Sequence, residues 1–172
     1  AGGSIRREDV EPMRESAAAY RRAANARDSA IRLYLWDSQR GAWLDYDLVE
    51  GAHTRVISAA SYTPLWAGAY SAAEARAAVA SLAASSLVQR GGVAATVIRS
   101  GEQWDYPNAW PPLQQMVIEG LKTCGAPGGE TLARRLALCW LRSCHIAWCA
   151  RGGMDEKQDV TALGQRGAGG EY

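Results

Sequence analysis

Helical patterning, broken only by glycine, proline and polar turns, fills most of this 172-residue chain and leaves little room for a sheet. The most apolar stretch runs from about Glu130 to Arg151 and stops at Gly152-Gly153, where a residue free to turn left-handed can end a helix. Before it, Pro111-Pro112 opens a helix that reaches Cys124 with Leu113, Val117, Gly120 and Leu121 along one side. Gly125–Gly129 forms the turn between the two. Ser71 caps a helix over Ala72–Leu87, and Glu74 at its third position completes a capping box. A short apolar helix starting near Pro64 lies within Thr63–Tyr70. The first long helix spans about Glu8–Trp36, through the Ala-rich run Ala17–Ala26, with Tyr20, Ala24, Ile31 and Tyr34-Leu35 near one stripe. Pro12 marks either a kink or its true start. Strand signals are scraps: alternation over Trp43–Leu48 after the turn Asp37–Gly41, and an extended Val93–Arg99 leading into the loop Ser100–Trp110. The pattern predicts an all-α protein, a single unit over 1–172, whose information sits in irregular loops.

Composition removes several function classes. The apolar fraction of 48% and charged fraction of 22% suit one globular unit with a real core. A net charge of +1 gives no argument for nucleic acid or an anionic membrane, and no stretch is long and apolar enough to span a bilayer. Cys124, Cys139, Cys144 and Cys149 are too few and too clustered for a disulfide framework. The last three are spaced by five, which on a helix turns each about 140° from the one before. They cannot jointly hold a metal with His145, so buried free thiols are expected, and no metal or cofactor site. Seven Trp and seven Tyr stand against no Phe. Both residue types pair an apolar face with a hydrogen-bonding tip, which suits sugar rings and wet core edges alike. Five of the seven Trp are expected in the core.

Two loop segments carry chemistry. The first is Gly101-Glu102-Gln103-Trp104-Asp105-Tyr106-Pro107-Asn108-Ala109-Trp110-Pro111-Pro112-Leu113-Gln114. Its prolines lower the entropy of a loop that holds two indoles, amides and a carboxylate ready for a ligand. Indole faces against C–H groups, with Asn, Gln and Asp addressing hydroxyls, make a polyol site. The same composition equally makes a rigid corner in which Asp105 caps nearby amides. The second segment is Met154-Asp155-Glu156-Lys157-Gln158-Asp159-Val160-Thr161, followed by Gly167-Ala168-Gly169-Gly170-Glu171-Tyr172. An isolated Glu in a polar loop is ordinarily a solvated surface residue.

Together these segments resemble the signatures of the trehalase family of inverting glycoside hydrolases. Gln-Trp-Asp-x-Pro-Asn-x-Trp-x-Pro is nearly complete over Gln103–Pro112, and Glu156-Lys157 with Asp159 is similar to the family's Glu-Lys-Tyr-Asp. The glycine run ending in Glu171-Tyr172, fifteen residues beyond Glu156, also fits. So does the helix-and-turn Arg27-Asp28-Ser29-Ala30-Ile31 through Leu35-Trp36-Asp37 to Asp45-Tyr46-Asp47, which extends the resemblance from about Ala26 to the end. Two positions depart: Gln158 stands where the family has Tyr, and Ala168 interrupts the glycines.

The resemblance implies part of an (α/α)6 helical toroid, roughly its C-terminal half, truncated at both ends. It implies hydrolysis of α,α-trehalose to two glucoses by an acid and a base standing about 6.5–9.5 Å apart with a water between. Glu156 would be the base. Gln103, Trp104, Asp105, Asn108 and Glu171 would bind the sugar. The acid belongs to an upstream Trp-Asp segment; Trp36-Asp37 has those letters but falls in a later segment of the family pattern. The expected partners are therefore trehalose and a missing N-terminal half, and the chain alone is expected to be inactive. The departures at Gln158 and Ala168 keep open a noncatalytic sugar-binding or interaction module built on the same scaffold.

Overall fold

The structure, a computed structural model, describes residues 7–170, with side chains from residue 12 onward. Helix α1 (Arg7–Ala30) carries Pro12 inside its first turns and passes into a π-helical turn at Ile31–Leu35. The expected continuous helix to Trp36 therefore changes pitch at Ile31. Its stripe is covered only at its far end: Ile31 and Leu35 pack against the core, while Tyr20 is 78% exposed and Tyr34 also faces solvent. Two small hairpins follow, β1 (Trp36–Asp37) with β2 (Ala42–Trp43), and β3 (Tyr46–Asp47) with β4 (Ala52–His53). The strand expected over Trp43–Leu48 is thus divided between two hairpins. Both turns are set by an aspartate: Asp37 Oδ1 accepts from the Gln39 and Arg40 amides, and Asp47 Oδ1 from the Val49 and Glu50 amides.

A 3₁₀ turn at Ala59–Tyr62 leads into α2 (Pro64–Ala67), which has proline in its first turn and stops at the left-handed Gly68. Helix α3 (Ala72–Ala84) starts from the predicted capping box, in which the Glu74 amide donates to Ser71 Oγ and the Glu74 carboxylate accepts from the Ser71 amide. It ends three residues short of the expected Leu87, because the chain turns at Ser85 into the hairpin β5 (Val88–Gln89) and β6 (Gly92–Val93). Strand β7 (Asn108–Ala109), helix α4 (Pro111–Thr123) and helix α5 (Gly129–Arg151) follow, and β8 (Gln158–Asp159) returns to pair antiparallel with β7. The extended piece expected over Val93–Arg99 contributes only β6 and a bridge from Thr96 to Ser58.

The core lies where α2, α3, α4 and α5 meet the hairpins, around Trp43, Leu44, Tyr62, Leu65, Leu82, Leu87, Val117, Leu121 and Leu136. Helix α4 crosses α2 closely because Gly120 has no side chain: a Cβ there would stand 2.7 Å from the Trp66 amide nitrogen. Gln114, fully buried, accepts from the Val93 amide at 2.8 Å and donates to the Val93 carbonyl, so it acts as a peptide group that ties α4 to β6.

Two expectations about side chains change. Only Trp43 and Trp110 are buried; Trp36 and Trp140 are partly covered, and Trp66, Trp104 and Trp148 are about half exposed. The four cysteines are free, but only Cys144 is buried and Cys149 is exposed. For Trp148, Cys139 and Cys149 the cause is local: apolar positions on α5 fall on more than one face of the helix, and the described residues cover one side of it.

Candidate active site

The signature loop is an irregular segment held from inside by its own polar groups. Asp105 Oδ1 accepts from Thr96 Oγ1 at 2.6 Å and Oδ2 from Ser100 Oγ, while the Asp105 carbonyl accepts from the Asn108 amide. Both carboxylate oxygens thus brace the loop, as in the rigid corner that composition equally allowed. Trp104 is half exposed and lies flat on Trp110, with ring centroids 4.0 Å apart and planes within 9°. The Trp110 indole donates to the Gln103 carbonyl at 3.0 Å, which fixes the stack against the loop backbone.

Asn108 connects this loop to the glycine run, donating from Nδ2 to the Ala168 carbonyl and accepting from the Ala168 amide, each at 2.9 Å. The close approach needs glycine on either side. A Cβ on Gly167 would stand 2.6 Å from Asn108 Oδ1, and one on Gly169, whose φ is +86°, would run into the Gly101 carbonyl. Ala168 itself needs no left-handed backbone, since no non-glycine residue described has positive φ.

Glu156 follows α5 on an exposed bend and lines an open cleft of about 610 Å³ with Gln103, Lys157, Arg166 and the run Gly167–Gly170. The cleft therefore brings together Glu156 and Gln103. Trp104, Asp105 and Asn108 do not line it, though Asn108 is bonded to its glycine run, and Glu171 lies outside the described residues. Gln158 points the other way. Fully buried, its Oε1 accepts from Ser143 Oγ at 2.6 Å and its Nε2 donates to Cys144 Sγ at 3.2 Å, both on α5. Burial pushes the Cys144 thiol up, against the hydrogen bond from Gln158. The residue in the family's Tyr position is here a core contact rather than a part of the cleft.

Sequence reasoning missed three side chains of this site. Lys157 donates to Gln103 Oε1 at 3.0 Å and to the Gly169 carbonyl at 3.1 Å, and its ammonium stands 5.4 Å from the Trp110 ring centroid. One cation, on the residue after Glu156, thereby joins the signature loop to the glycine run. Asp155, with a side chain only 4% exposed, is held by Arg151 and by Arg166 Nε at 2.9 Å. Burial acts to raise its carboxyl, but the two guanidiniums outweigh it and hold the group below the ordinary carboxylate range. The Asp155 carboxylate is thus committed to its two arginines. The signal for these contacts was the charge content of Arg151–Arg166, which spacing alone does not pair. Asp37, in the other Trp-Asp pair, is occupied by its hairpin turn and stands 4.0 Å from both Arg40 and His53. Among the described residues no group of His, Cys, Asp and Glu could hold a metal ion.

The all-α chain matches solved structures with a helical-toroid fold. The neutral trehalase of Saccharomyces cerevisiae superposes with a TM-score of 0.72 at 33% identity, over 88% of this chain and 28% of that one. A mannosylglycerate hydrolase from Thermus thermophilus, solved with glucose, gives 0.65 at 25% identity over 84% of this chain and 35% of that one. The sequence profile of trehalases matches residues 5–172, and the chain belongs to the trehalase family. A probable trehalase of Oryza sativa subsp. japonica is 36% identical over 170 residues, covering 87% of this chain and 30% of its own length. Human trehalase is 39% identical over 155 residues, covering 89% and 27%. The chain thus spans under a third of the length of these curated relatives, and its fold is part of the helical toroid.

Proposed function

We propose that this chain supplies the general base and one wall of the sugar pocket of an inverting trehalase. The observation that carries the reading is the cleft in which Glu156 lies against a glycine run pinned to the signature loop by Asn108 and Lys157. In the proposed reaction Glu156 takes a proton from a water as that water attacks the anomeric carbon, while an acid outside these residues protonates the departing glycosidic oxygen. An exposed carboxylate, free of hydrogen bonds to the described residues, suits a base that must be ionised before the step. Gln103, Trp104, Asp105, Asn108 and Glu171 complete the proposed sugar-binding set: Gln103 at the cleft, Trp104 through its stack on Trp110, Asp105 and Asn108 by holding the loop. The features that favoured a noncatalytic module weigh little, because Gln158 faces α5 and Ala168 takes an ordinary backbone conformation.

The test uses trehalose with the 172-residue chain. Nuclear magnetic resonance titration is expected to move the Trp104 indole signal, with no glucose released. An unmoved spectrum at saturating sugar would remove the pocket, and glucose release lost in Glu156→Gln would show that the acid is already present.

A further inference from the structure

We propose that Arg166 is a substrate-binding residue of this cleft and that Asp155 is its positioning residue. The inference rests on the reading of the cleft as a sugar site. The two partners of Asp155 are unequal. Arg151 donates to Oδ2 and to the Gly164 carbonyl, which closes the end of α5 onto the loop below. Arg166 donates to Oδ1 through Nε alone, and its side chain remains 72% exposed while the carboxylate it touches is 4% exposed. Its Nη groups make no hydrogen bond to the described residues, and the residue lines the cleft beside Glu156 and Gly167.

A guanidinium that served only as a strut would turn its paired Nε and Nη edge to the carboxylate. Here one edge is fastened to a buried anion and the other opens into the cavity. Its backbone is fixed as well, by the bridge between Arg166 and Gln158. A planar donor pair held in place before the ligand arrives loses little rotamer freedom on binding, and its spacing matches two adjacent hydroxyls. The ligand class is therefore a neutral sugar with a vicinal diol. Arg166 does not act on the reacting atoms; it holds the ring whose bond is attacked.

The experiment measures binding of D-glucose, trehalose and the singly deoxygenated glucoses to the 172-residue chain by nuclear magnetic resonance. Wild type, Arg166→Met, Arg166→Lys and Asp155→Asn are compared after their melting curves confirm folding. Wild type is expected to bind one or two deoxyglucoses about tenfold more weakly than glucose, because a charged donor is left without its hydroxyl. In Arg166→Met that discrimination disappears, and Asp155→Asn reduces it while leaving the same hydroxyl preferred. A purely structural residue would weaken all sugars alike and keep the pattern. An unchanged deoxy-sugar pattern in a folded Arg166→Met overturns the inference alone. Absence of sugar binding by the wild type overturns it together with the function proposed for the cleft.

Discussion

Lys157 is the residue on which the cleft's geometry turns, since its ammonium is shared between Gln103 and the Gly169 carbonyl. Removing it in Lys157→Met is expected to lower stability by about 1 kcal/mol, the usual worth of such bonds at a half-buried site. More specifically, amide exchange should accelerate together over residues 101–105 and 167–170; acceleration in one segment alone would contradict the shared tether. Asp155 gives a pH prediction. Its folded carboxyl lies below its ordinary value of 3.8, so the interaction is fully present above that value and is lost as pH falls through the lower folded one. Asp155→Asn should cost about 2 kcal/mol at neutral pH and make acid denaturation below pH ~4 shallower, as read by chemical denaturation across pH. Glu156 was legible in sequence only through its spacing to Glu171 and the resemblance of its neighbours. The role of Gln158 was not legible, because which way a side chain points from β8 depends on its pairing with β7.

Helices were legible where local signals agree. The capping box at Ser71, the prolines opening α4 and the glycines closing α5 each act within a turn of the residue that carries them. The hairpins were not, since two-residue strands offer no period to read, and their turns rest on Asp37 and Asp47 accepting from amides two and three residues ahead. The crossing of α2 and α4 was equally hidden, for it depends on an absent side chain. Gly120→Ala would place a methyl against the Leu65–Trp66 backbone, where neither partner can move aside. It should destabilise the chain by about 1–3 kcal/mol, visible as a lower melting temperature with sugar contacts unaltered in what remains folded. A Gly120→Ala chain as stable as wild type would mean the two helices can separate without loss.

At the scale of the molecule, apolar surface stands uncovered among the described residues. Leu138, Leu141 and Trp148 form an exposed stripe on α5, with His145 between them in the same rows, and α1 and the turn after it leave Tyr20 and Leu33 in solvent. Apolar area of this kind drives association. Sedimentation velocity is expected to show concentration-dependent self-association that Leu138→Glu with Leu141→Glu reduces; a monomer at all concentrations would show that the stripe is harmless. The toroid was legible as a family resemblance, while what would cover the exposed face of α5 is absent from any pattern in these residues. The role proposed for Glu156 as the base is best probed by trehalose hydrolysis in the polypeptide that carries this segment within a complete toroid, comparing wild type with Glu156→Gln. Turnover is expected to fall by about 10²–10⁴-fold with trehalose still bound; turnover that survives the substitution would show that another group is the base.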